Sequence, residues 1–112
     1  MSNIFIDPAK KAKIDKEIYL KGVDEWFNNQ ISSGFTTNYG WKLGLMDADV
    51  TLLTGAFVLA KQADEMGLPL PQIVDMNNVP HSLSLSEMTE LMLLYGNHRA
   101  ALSAEYAERK NQ

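Results

Sequence analysis

The stretch from Asp47 to Gly67, DADVTLLTGAFVLAKQADEMG, decides how the chain is read. Between Val50 and Ala60 its only non-apolar residues are Thr51, Thr54 and Gly55. A helix that is apolar nearly all round has to be enclosed, so the pattern predicts a central rod wrapped by the flanking segments. Asp47 is expected to accept the free N–H groups of the first turn, and Gly67 to close the last turn in the left-handed conformation. Glycine costs about 1 kcal/mol relative to alanine inside a helix. A close backbone approach at Gly55 is therefore expected, with Gly55→Leu overpacking that contact.

On the N-terminal side, Gly34–Leu45 reads GFTTNYGWKLGL. Phe35-Thr36-Thr37 and Trp41-Lys42-Leu43 are β-prone and flank Asn38-Tyr39-Gly40, which predicts a hairpin. Before it, Asp7-Pro8 reads as an N-cap followed by proline at the first helical position, opening a helix to about Ser32. Its apolar residues Ile14, Ile18, Val23, Trp26, Phe27 and Ile31 follow helical spacing only from Ile14 onward. Lys10, Lys11 and Lys13 leave little to bury, so the first turns are expected to project into solvent or into a partner. Ile4-Phe5-Ile6 is an apolar triplet suited to an edge strand or a docking tail.

On the C-terminal side, Leu68-Pro69-Leu70-Pro71 cannot continue the helix. Gln72–Met76 and Val79–Leu83 predict a second hairpin around a two-residue Asn77-Asn78 turn, because Asn tolerates positive φ. Pro80 cannot donate to a ladder, so its strand is expected to be an edge or its proline to point outward. Ser84-Leu85-Ser86-Glu87 is a capping box that opens a helix to about Arg109. There Leu85, Met88, Met92, Tyr95, Arg99, Leu102 and Tyr106 alternate by three and four, a seam that Arg99 interrupts. The predicted fold is α+β: three main helices, with two short hairpins forming a small antiparallel sheet. Residues 1–13 are an N-terminal arm and first helical turns, and residues 14–110 a single domain.

A chain of 112 residues, 46% hydrophobic and 21% charged, fits one folded domain with a modest core. Its longest apolar run falls far short of the ~20 residues that span a bilayer, and no secretion signal is expected. Without cysteine there is no disulfide framework or thiolate chemistry. Net charge is −4, unevenly placed. Residues 1–21 set five lysines against Asp7, Asp15 and Glu17, and the remainder sets five basic against eleven acidic groups. An acidic body argues against nucleic acid, and the lysines suit the solvated side of the first helix.

Catalytic and metal signatures are missing. His81 and His98 have no ligand partners at zinc spacing. Asp75-Met76-Asn77-Asn78 lacks the sixth-position glycine and twelfth-position glutamate of a calcium loop. No G-x-S-x-G, P-loop or G-x-G-x-x-G occurs. The expectation is a non-enzyme without cofactor or metal. Apolar surplus in so small a chain points to protein–protein contact, including self-association as a homo-oligomer. The residues singled out for such contacts are Ile4, Phe5, Ile6, Trp26, Tyr39, Trp41, Met88, Met92, Tyr95 and Arg99.

From Lys21 onward the chain resembles a small domain of unknown function found in tail-fibre, tail-assembly and other tail-associated proteins of tailed bacteriophages and prophages. The resemblance rests on the aromatic-rich GFTTNYGW after a helix and on the helix VTLLTGAFVLAKQA. It continues through the strand pair from Asp75 to Leu83 and the opening of LSLSEMTELMLLYGNHRAAL, covering about residues 14 to 110. Ile73 stands where that family often has tryptophan. The resemblance implies a structural or assembly role in a tail, with other tail proteins or itself as partner. It also implies the host cytoplasm during assembly, or the virion, as location. A small adaptor or inhibitor that binds a host protein through its acidic face is the alternative reading.

Overall fold

Every helix boundary is set by backbone groups that find a partner close by in the chain. The computed structural model describes residues 7–112, so the triplet Ile4-Phe5-Ile6 lies outside the described residues. Helix α1 (Pro8–Ser33) opens where Asp7 Oδ1 accepts from the Ala9 N–H at 3.0 Å. It stops at Gly34, whose φ of +76° suits glycine. A side chain at that position would also collide with Met76 Sδ and the Leu43 carbonyl.

Helix α2 (Asp47–Glu65) is capped differently from the expectation. Met46 is the N-cap, and Asp49 accepts the Met46 N–H at 3.1 Å from inside the first turn. At the far end the Leu68 N–H reaches the Ala63 carbonyl at 2.8 Å over Gly67, whose φ is +70°. That is a Schellman closure. Helix α3 (Leu85–Lys110) starts with the reciprocal pair read from the sequence: Glu87 N–H to Ser84 Oγ at 3.1 Å, and Ser84 N–H to Glu87 Oε1 at 2.9 Å.

Strands β1 (Phe35–Thr36) and β2 (Lys42–Leu43) pair antiparallel, as do β3 (Ile73–Val74) and β4 (Pro80–His81). They form two separate ladders rather than one sheet, joined by the Met76 N–H donating to the Lys42 carbonyl at 2.9 Å. Both hairpins turn through three residues. Gly40 (φ +96°) and Asn78 (φ +60°) take the left-handed third position, so the second turn is Met76-Asn77-Asn78 rather than Asn77-Asn78 alone.

Helices α1 and α2 both pack on α3 and scarcely meet each other. All seven residues of the α3 seam are buried or half-buried, with Met88, Tyr95 and Leu102 in the core beside Leu91. Helix α1 runs antiparallel to α3: Phe27 stacks on Tyr106 at 4.2 Å, and Phe35 meets Tyr95 edge-on at 5.8 Å. Asp24 takes hydrogen bonds from Lys110 and Tyr106, in that order the main causes that hold its carboxyl below the usual range. The result is a rod of 79 × 24 × 20 Å, whose 20.8 Å radius of gyration far exceeds the ~13 Å of a compact chain this long.

The predicted enclosure of α2 does not occur. Only Leu53 and Ala60 are buried, while Leu52, Leu59 and Met66 stand 73%, 58% and 74% exposed. Helix α2 has one helical neighbour, so one face is covered and the opposite face is bare. The close approach at Gly55 is also absent, because a Cβ there meets nothing within 4 Å. Consequently Gly55→Ala should stabilise the chain by about 0.5–1 kcal/mol in urea denaturation, and Met88→Ala should cost about 2–5 kcal/mol. A loss at Gly55 would contradict the open face.

Candidate functional site

Six residues of α2, Ala48, Leu52, Gly55, Leu59, Gln62 and Met66, are spaced alternately by four and three, which places them on one stripe. All six are exposed, and none carries charge. The stripe borders hairpin β3–β4, where Val74 and Met76 are also exposed. A groove of about 250 Å³ separates the two, lined mainly by Leu52, Leu53, Ala56, Ile73 and Val74. A second hollow of about 380 Å³ continues past Leu59 and Met66 to Leu68 and Leu70. The exposed apolar residues of α2 and of hairpin β3–β4 therefore lie side by side across this groove.

Polar groups at the groove are already engaged in holding the fold. Asp49 caps α2. Asp75, one of two buried polar residues among the described residues, accepts the Asn77 and Val79 N–H groups on Oδ1 at 2.8 and 3.0 Å. Its Oδ2 accepts from His81 Nε2 at 2.8 Å. The His81 hydrogen bond first, then the Val79 and Asn77 amides, hold the Asp75 carboxyl below its usual range. Thr37, also buried, occupies the matching place in the first hairpin: its hydroxyl accepts the Tyr39 N–H and donates to the Trp41 carbonyl. Among the described residues no group of three or more His, Asp or Glu could hold a metal ion. No helix of the described residues is long and apolar enough to cross a membrane.

The residues expected to mediate contacts do not gather on one surface. Met88 and Tyr95 are core residues and offer no docking area. The Tyr95 hydroxyl donates to the Gly44 carbonyl at 2.6 Å, and burial pushes its pKa up to about 12. Arg99 does not interrupt the seam but works inside it. Its Nε donates to the Leu45 carbonyl at 2.9 Å, and its guanidinium lies 5.4 Å from the Phe27 ring centre. Met92 is half-buried against the core. Trp26 is half-buried beneath the Arg109 guanidinium at 3.9 Å. Tyr39 is exposed and stacks on Trp41, which stacks in turn on His81 at 4.0 Å, so these rings staple the two hairpins together. His98 lies against Phe35.

No family model, curated protein or solved structure matches this chain.

The Asp75 network makes an acid-side prediction. A carboxylate with a depressed folded pKa contributes stability that is present above the unfolded value of 3.8 and lost as pH falls through the lower folded value. Asp75→Asn should lower the neutral-pH melting temperature by roughly 5–10 °C. The gap to wild type should shrink below pH 3.8 in thermal scans, and a pH-independent gap would contradict the assignment.

Proposed function

We propose that the chain is a non-enzymatic structural or assembly protein of a phage-type tail, acting through protein–protein contact. The observation that carries the contact role is the uncharged apolar stripe along α2, left bare by the chain's own packing. The elongated shape supports it, since a 79 Å rod presents long faces. The tail setting comes from the resemblance of residues 14–110, carried by GFTTNYGW, VTLLTGAFVLAKQA, the strand pair from Asp75 to Leu83 and the opening of LSLSEMTELMLLYGNHRAAL.

The test is quantitative mass spectrometry of tail particles and tail-assembly intermediates from the host that carries the gene. Recovery of this chain in stoichiometric amount with tail components supports the reading. Recovery with a single host protein, and none with tail components, overturns it in favour of the adaptor.

A further inference from the structure

We propose that the lysine-rich tip of α1 docks on the bare face of α2 in a second copy of this chain, giving a head-to-tail contact. Three observations point to that occupant. First, among the described residues both surfaces stand exposed. Every residue from Asp7 to Tyr19 is exposed, including Ile14 and Ile18, one helical turn apart. The stripe Leu52, Leu59 and Met66 is exposed on α2.

Second, the charges complement each other. Pro8–Lys21 sets five lysines against Asp15 and Glu17, whereas α2 sets Asp47, Asp49, Asp64 and Glu65 against Lys61 alone. Each helix also carries charge of the wrong sign for its own dipole at the end concerned. The first turn of α1 has no acidic residue and holds Lys10 and Lys11. The last turn of α2 has no basic residue and holds Asp64 and Glu65. Bringing the α1 tip beside the C-terminal end of α2 relieves both. A symmetric pairing of two α2 faces, or of two tips, sets like charge against like.

Third, the tip cannot reach the α2 face of its own chain. Tyr19 lies level with the C-terminal end of α3, where its hydroxyl donates to the Arg109 carbonyl, and α1 runs on beyond that point. Helix α2 is antiparallel to α3 as α1 is, but it starts with Asp47 beside Arg99 and extends toward the start of α3. The two surfaces therefore sit toward opposite ends of the 79 Å rod. In the contact, Ile14 and Ile18 cover Leu59 and Met66, and the tip lysines face Asp64 and Glu65. A heterologous contact of this kind repeats into a ring or a filament. Three helical turns make a small interface, so association is concentration-dependent and weakens with salt.

The contact presupposes that the chain works by protein–protein assembly. The test is sedimentation velocity at about 0.3 mM chain in low salt, a concentration chosen for a small interface. Wild type should sediment as more than one chain and shift toward monomer in high salt. Ile18→Glu and Leu59→Glu, both at exposed positions, should each be monomeric with unchanged circular dichroism. Mixed, they should form a one-to-one pair and nothing larger, because one supplies an intact α2 face and the other an intact tip. As a second readout in this cysteine-free chain, Ile18→Cys mixed with Leu59→Cys should cross-link more than either alone. A monomeric wild type, a self-associating single variant, or a mixture that fails to pair would overturn the contact. A monomeric wild type alongside recovery with tail components would overturn the self-contact while the assembly reading survives.

Discussion

The fold depends on one constraint: the α3 seam has to serve two helices and two hairpins at once. Met88, Leu91, Tyr95 and Leu102 fill the core, while Phe27 of α1 stacks on Tyr106 and Phe35 of β1 packs against Tyr95. The segment between β2 and α2 would leave carbonyls stranded beside this core. Tyr95 and Arg99 reach across to Gly44 and Leu45 and satisfy them. An unsatisfied buried acceptor costs about 1–3 kcal/mol, so these two polar side chains in an apolar seam hold the connection in place rather than weakening the packing.

A shared spine leaves its two clients half covered. With α1 and α2 on separate flanks of α3, neither shields the other. Helix α1 overruns the end of α3 and its first turns are exposed. Helix α2 keeps its outer stripe bare. The paired hairpins close one side of α2 through β3, and the Trp41–His81 stack with the Asp75 network keeps them rigid. The same packing that holds the fold together thus produces an elongated body with apolar and charged surfaces to spare.

Local signals were legible in the sequence, and global ones less so. The capping box at Ser84, the left-handed Gly67, the proline at the start of α1 and both hairpins were readable because caps and turns are decided within four or five residues. The α3 seam was readable because its period holds for three heptads. Which helix lies at the centre was not. An all-round apolar composition says that α2 seeks cover without saying that the chain supplies it, and α2 turned out to be a flank. The stripe from Ala48 to Met66 was present as a four-three alternation, but the apolar residues on the covered face hid it. Arg99 looked like an interruption because its acceptor, the Leu45 carbonyl, lies 54 residues away in sequence. Asp75 and His81, unremarkable in sequence, become partners only when the turn through Asn78 brings them together.

Native-state hydrogen exchange at a concentration where the chain is monomeric tests the central claim most directly, that α3 is the spine and α2 a flank. Amides of α3 between Met88 and Leu102 should exchange only through global unfolding, those of α2 sooner, and those of α1 before Tyr19 almost without protection. Slowest exchange in Val50–Ala60, with α3 opening first, would contradict the account.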